Sequence, residues 1–493
     1  MTDPDRIRPP QGHFIAGRLQ PDAAALAVLR PSDGRPWAEL PVADAATVDQ
    51  AVQGAHTAFE RSDWARGAPR DRARVLRRWA DLLEADAPGL AALEGVGSTR
   101  PLRDAAAWDV PFTAEGIRYF AEWADKLGGD VAATRQDHLG LVISEPYGVV
   151  GAITPWNFPL VMASWKVGAA LAAGNAVVLK PSELTPFSAI RMAELAVEAG
   201  LPPGLFNVVQ GDGRTTGEAL CRHPLVGKMT FTGSTRTGAA IMAACAQHGP
   251  KPVTLELGGK SPQLVFDDVP DLDTLAGLIV GAITGNAGQV CVAGSRLIVQ
   301  RGVAPALVER VVRRMRAFRP GATWDAAAWA GPAPLAPIIS AVQAARIGAI
   351  VQAARDAGAE LLCGGARFDD GPGGAYWQPT VLHSVDASNP AVREEIFGPV
   401  LTVQTFDTEE EALALAAHPD YGLAAGVHTA DLARAMQLMR ALKAGTVWVN
   451  RYGRSHDFAL PTGGWQRSGI GKDLGRQALE ANLRLKTVLF GFS

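Results

Sequence analysis

Between about residues 148 and 266 the chain alternates short apolar runs with longer amphipathic stretches: VVGAIT, the stretch after Pro159, NAVVLK, the stretch after Thr185, LFNVV and KMTFTG. Strands that stay apolar along their length are buried on both faces, and their alternation with helices, with Gly and Pro at the switches, builds βαβ units around a parallel sheet. Before this region, residues 44–126 read mostly as amphipathic helices, as in DRARVLRRWADLLEAD. After it a second α/β series carries GNAGQVCVAGSRLIVQ, VERVVRRMRAF, EEIFGPVLTV and GTVWVN. The expected fold class is therefore α/β with two parallel-sheet domains, which a chain of 493 residues can fill. The Gly- and Pro-rich segments 319–337 and 369–379 are expected to be surface excursions of the second domain. Residues 139–146 and the tail LKTVLFGF read as strands outside both sheets, of the kind that pairs with another subunit.

Composition narrows the class of partner. A net charge of −3 gives no basic surplus for nucleic acid, which leaves a small molecule as the expected ligand. The four cysteines, at 221, 245, 291 and 363, show neither paired nor metal-type spacing, so reduced thiols and no metal site are expected. The opening MTDPDRIRPPQG lacks a basic region followed by an apolar one, and no run reaches the ~18 apolar residues of a membrane helix. These features make the cytoplasm the expected location.

Several short motifs can carry chemistry. GNAGQVCVAG sets Cys291 among small residues, where a thiolate can attack a carbonyl and backbone amides can hold the resulting oxyanion. A lone cysteine is more often a small buried hydrophobe, the reading that Cys221, Cys245 and Cys363 keep. TLELGGKSP ends an apolar run on Glu256 before two glycines, where a carboxylate can activate water. GAITPWNFPL leaves Asn157 at a strand-to-helix turn, with an amide suited either to an oxyanion or to a helix cap. NAVVLKPSELTP ends a strand near Lys180 and Glu183; an acidic residue there hydrogen-bonds ribose hydroxyls and repels a 2′-phosphate, favouring NAD over NADP. FTGSTRTG brings Gly233, Ser234 and Gly238 to a helix entry, where amides can meet a pyrophosphate, although the spacing is not GxGxxG.

Taken together, ITPWNFP, KPSE, FTGST, LELGGK, GQVC and EEIFGPV resemble the aldehyde dehydrogenase superfamily in order and spacing from about residue 12 to the end. The resemblance implies an NAD-dependent oxidation of an aldehyde to a carboxylate. Cys291 would be the nucleophile, Asn157 and the Cys291 amide the oxyanion donors, Glu256 the base for the deacylating water, and Lys166 with Asp473 a proton relay behind it. The nucleotide would lie across Ile153, Thr154, Pro155, Trp156, Lys180, Ser182, Glu183, Gly213, Gly233, Ser234 and Leu257, with Glu395 and Phe397 at the nicotinamide. Met162, Trp165, Val292, Arg454, Asp457 and Thr462 would meet the aldehyde. The implied fold has an NAD-binding domain (1–123 and 147–257), a catalytic domain (258–474) and a β flap (124–146 and 475–493) that builds homodimers or homotetramers.

Two departures bear on the substrate. PTGG stands where many members carry an aromatic residue before the glycines, so Thr462 is expected to leave a wider, more polar entrance. NRYGRSHDFALP carries Arg454, His456 and Asp457; it is similar to the segment of γ-glutamyl-aminobutyraldehyde and other aminoaldehyde dehydrogenases in which an acidic group can face an ammonium, and equally suits a solvated loop. A CoA-acylating semialdehyde dehydrogenase is an alternative, but such members generally lack the LELGGK glutamate. A non-catalytic protein on the same scaffold is another, but the motifs here are intact.

Overall fold

The apolar runs between 148 and 266 are strands of one eight-stranded sheet in the computed structural model, which describes residues 3–492. Its parallel centre runs Phe206–Val208, Ala176–Lys180, Val149–Ile153, Val226–Thr232, Val253–Glu256. From Val149–Ile153 the chain builds outward in one direction, then returns to build in the other. Beyond the carboxyl ends of two strands that diverge in this way a crevice opens, the usual ligand position in an open α/β sheet. Val149, Val150, Ala152, Val177, Val178 and Leu179 are fully buried because helices cover both faces. The helix Pro159–Ala172 is buried along its whole length, between this sheet and the helix Val110–Trp123, which explains why it is apolar all round.

The second series forms a seven-stranded sheet in the order Glu360–Cys363, Thr380–His383, Val400–Phe406, Arg296–Gln300, Pro262–Val265, Ala424–His428, Thr446–Val449. All but the first of these strands are parallel to their neighbours. The buried Arg296 guanidinium pins this layer by donating to the carbonyls of Lys260, Leu415 and Ala416. A third, antiparallel sheet joins Asp130–Ala132, His138–Pro146 and the late strand Leu483–Gly491. Val131, Leu485, Leu489 and Phe490 are exposed on it.

Two features tie the layers together. The short strand Gly469–Ile470 returns from the second layer to pair antiparallel with Val253–Glu256, placing Gly469 opposite Glu256. The segments 319–337 and 369–379 are not simple surface excursions. Thr323 is buried and bonded to Ser32 and to the Gly95 carbonyl, and the Tyr376 hydroxyl donates to the Ser32 carbonyl. Their Gly and Pro content supplies turns, while Thr323, Trp329, Tyr376 and Trp377 supply the buried anchors that composition alone does not reveal.

Candidate active site

Cys291 is half-buried at the end of a loop that the turn Gly285–Gly288 bends sharply. Asn286, Ala287 and Gly288 all have positive φ, and at Gly288 a side chain would collide with the Gly398 backbone. Polar side chains hold this conformation. Gln289 Nε2 donates to the carbonyls of Asn286 and Pro337, and its Oε1 accepts from the Ile339 amide. Asn286 Nδ2 donates to the Asn157 carbonyl at 2.9 Å, and Asn157 Nδ2 returns a bond of 2.9 Å to the Gln289 carbonyl. Asn157 is therefore not the cap of the helix that follows it. It braces the Cys291 loop with one amide N–H and keeps a second to donate. Burial pushes the Cys291 thiol up to about 11, the Arg454 charge opposing that shift.

Glu256 is the last residue of its strand and is buried, with Oε1 unpartnered. Burial, reinforced by Asp473, raises its carboxyl to about 8. Gly463 leaves the space this carboxylate uses: its φ is +152°, and a Cβ there would stand 2.7 Å from Glu256 Oε1. Lys166 Nζ bonds Asp473 Oδ2 at 2.9 Å and Thr230 Oγ1 at 3.1 Å in a buried pair. Asp473 exchanges backbone bonds with Thr462, and so connects this pair to the PTGG turn.

A cavity of about 600 Å³ opens beside Cys291. Pro155, Trp156, Asn157, Met162, Gly233, Ser234 and Leu257 line it from the first layer, and Cys291, Glu395 and Phe397 from the second. Ser234 caps the helix Thr235–Gln247 at the cavity wall, so first-turn amides of the kind that hold a pyrophosphate lie there. Trp156 and Phe397 meet edge to face with ring centroids 5.3 Å apart. Glu395 accepts from the Gly259 amide, and burial raises its carboxyl to about 7. At the neighbouring strand end, buried Lys180 donates to the Pro181 carbonyl and stands 3.3 Å from Glu183. Ile153 and Thr154 end their strand beside it, Thr154 donating to the Lys180 carbonyl, while Ser182 shapes the turn by accepting from the Leu184 amide. Gly213 begins the turn Gly213–Gly217, whose last residue packs against Ile153 and Lys180. These residues fit a dinucleotide: a helix entry for pyrophosphate, a carboxylate at a strand end for ribose, and an aromatic pair near the thiol.

Trp165 and Val292 are buried, and the Val292 carbonyl accepts from the Tyr452 hydroxyl. Arg454 turns inward. Its guanidinium lies 4.9 Å from the Trp165 ring centroid and donates to Thr462 Oγ1. Thr462 is thus buried and bonded, and the space expected to be open beside it holds the arginine. Asp457 is exposed and accepts from the Ser455 hydroxyl at 2.6 Å, whereas His456 packs against Trp108 and Phe112. Sequence reasoning missed the brace of Asn286 and Gln289, the aromatic wall of Trp108, Phe112 and Phe158, and the cavity residues Arg236, Gln343, Arg346, Tyr421 and Arg467. Only the GNAGQ run next to Cys291 carried a signal for any of them.

The sequence model of the aldehyde dehydrogenase family matches residues 19–488. The chain is similar to the NADP/NAD-dependent aldehyde dehydrogenase PuuC of Escherichia coli, 42% identical over 92% of this chain and 90% of that protein. It is also similar to a betaine aldehyde dehydrogenase of Cereibacter sphaeroides, 41% identical over 99% and 98% of the two chains. Among solved structures, the γ-glutamyl-γ-aminobutyraldehyde dehydrogenase of Burkholderia cenocepacia superposes with a TM-score of 0.95 at 43% identity, covering 99% of this chain and 98% of that one. The indole-3-acetaldehyde dehydrogenase AldA of P. syringae, solved with NAD+ and IAA, gives 0.94 at 41% identity over the same shares.

Proposed function

The chain belongs to the aldehyde dehydrogenase family and is an NAD-dependent aldehyde dehydrogenase, and from that premise we propose that Cys291 is its nucleophile, Asn157 its oxyanion donor and Glu256 its base. The observation that carries this reading is the convergence of Cys291 and Asn157 with Trp156, Ser234, Glu395 and Phe397 on one cavity, with the charge of the buried Glu256 felt at the thiol.

The thiol rests protonated at neutral pH and must lose its proton to attack; the ionised fraction of Glu256, whose charge is felt at the thiol, takes that proton and passes it on before it serves water. Sγ then bonds to the carbonyl carbon, and the alkoxide of the thiohemiacetal accepts from the second N–H of Asn157 and from the Cys291 amide. Trp156, Ser234, Lys180, Glu183, Glu395 and Phe397 would hold NAD, which would supply the acceptor for the hydride. Loss of hydride leaves a thioester on Cys291. Glu256 takes a proton from water, whose oxygen attacks the thioester carbon and releases the carboxylate and the thiol. Lys166 and Asp473 fix the electrostatics behind Glu256 and offer its proton a route away.

The relatives named above act on chemically different aldehydes, so the substrate class rests on this chain's own residues. An aminoaldehyde reading depends on an acidic group in the tunnel, and the exposed position of Asp457 does not support it. Free thiols at all four cysteines support a reducing, cytoplasmic setting. Among the described residues no helix is long and apolar enough to cross a membrane. The exposed apolar residues of the third sheet support association of copies into dimers or tetramers.

The test is Cys291→Ala with an aliphatic aldehyde. NADH formation is expected to vanish while NAD binding, followed by quenching of tryptophan fluorescence, stays near the parent value. Substantial turnover by the variant would overturn the assignment.

A further inference from the structure

Arg454 poses a physical problem that the oxidation chemistry does not explain. Its guanidinium is largely withdrawn from water, against the Trp165 ring, and spends one N–H on Thr462 Oγ1. Among the described residues no carboxylate lies within 4.0 Å of it. The ionisable groups that feel its charge are Cys291, Glu256 and Asp473. Asp473 is committed to Lys166, and Glu256 is held toward its neutral form by burial. The acidic neighbour in sequence, Asp457, points instead to Ser455 at the surface. A cation mostly out of water without a counter-charge is costly, and a planar fork with donors to spare is the geometry that receives a carboxylate.

The surroundings decide where such an anion would come from. Phe112 packs against Trp165, and Trp108 and Phe158 extend this aromatic cluster, so the guanidinium borders apolar surface of the kind that suits the methylenes of a short chain. Met162 lines the cavity beside Cys291, Trp165 follows one turn along the same helix, and the guanidinium lies on the Trp165 ring, so thiol and cation border one region of the molecule. A substrate with an ammonium at its far end would bring like charge to Arg454, whereas a carboxylate there would supply the missing partner. This argument rests on the aldehyde oxidation proposed above.

We propose that Arg454 is a specificity-determining residue that receives the far-end carboxylate of a short aldehyde acid, so that the product is a dicarboxylate. The bond-making steps at Cys291 are unchanged; Arg454 orients the carbonyl by holding the opposite end of the molecule.

The test compares kcat/KM for succinate semialdehyde, butyraldehyde and γ-aminobutyraldehyde, which share a four-carbon chain, at saturating NAD. On the parent the order should be semialdehyde, then butyraldehyde, then the amine, with the first step about tenfold or more, as expected for a hydrogen-bonded charge pair out of water. In Arg454→Met the ratio of semialdehyde to butyraldehyde should fall about tenfold or more, chiefly through KM for the semialdehyde, whatever happens to the rate common to both. Arg454→Lys should keep part of the preference. If the parent oxidises butyraldehyde as well as the semialdehyde, or if Arg454→Met lowers all three alike, Arg454 serves the thiol or the fold and the proposal is overturned. If Arg454→Met does not fold, the parent ranking and Arg454→Lys still decide. If no aldehyde yields NADH, the failure belongs to the reading of the enzyme itself.

Discussion

At Glu256, the proposed base, the balance between two protonation states should set the pH dependence of turnover. Its carboxyl is raised to about 8, so below that pH it is mostly the neutral acid and cannot take a proton from water. Steady-state turnover should therefore rise with pH and level off above about 8, provided deacylation limits the rate. Glu256→Gln should remove that inflection and leave a burst of NADH, at most one per active site, followed by slow turnover seen in stopped flow. A variant that keeps the parent's inflection would place the titrating group elsewhere. The positions of Cys291, Asn157 and Glu256 were legible because each sits where a strand ends or a loop is made of small residues, and local sequence encodes both. The orientation of Arg454 and Asp457 was not. They are three residues apart in an irregular loop, and what separates them is a ring on the helix Pro159–Ala172 and a hydroxyl at Thr462, neither visible from within the loop.

Turns and strand ends give two further tests. The PTGG turn reaches Glu256 through the missing side chain of Gly463, where a methyl group would also lie 2.6 Å from the Gly471 carbonyl. Gly463→Ala should cost about 1–3 kcal/mol from positive φ and overpacking. Because the displaced group is Glu256, it should slow thioester hydrolysis more than hydride transfer, as separated by single-turnover and steady-state NADH formation. At the end of the strand Ala176–Lys180, Glu183 is half-exposed beside Lys180, positioned for a ribose hydroxyl and against an added phosphate. NAD should exceed NADP in kcat/KM, and Glu183→Gln should narrow the ratio; equal use of both by the parent would refute the preference. The parallel strands were legible as apolar runs because burial on both faces removes alternation. The segments 319–337 and 369–379 misled because glycine and proline report turns and not depth, and Thr323 and Tyr376 are fixed by partners hundreds of residues away.

Across the whole molecule, the third sheet leaves Val131, Leu485, Leu489 and Phe490 in water, and Leu483–Gly491 is an edge strand with unpaired backbone groups. Leu489→Lys with Phe490→Asp should reduce the particle to a smaller species in light scattering while leaving the sheets intact by circular dichroism; an unchanged mass would move the subunit contact to another surface. The third sheet was foreshadowed by an apolar tail without a place in either main sheet. The layering was less so, because the return of Gly469–Ile470 to the first sheet involves only two residues, too few to show a period. That return has a consequence for biosynthesis. Most of the first sheet leaves the ribosome early, yet Glu256 awaits Gly469, Lys166 awaits Asp473, and His138–Pro146 awaits Leu483–Gly491. A chain cut short by stalled translation before Gly469 would lack both the strand that pairs beside Glu256 and the carboxylate that Lys166 bonds.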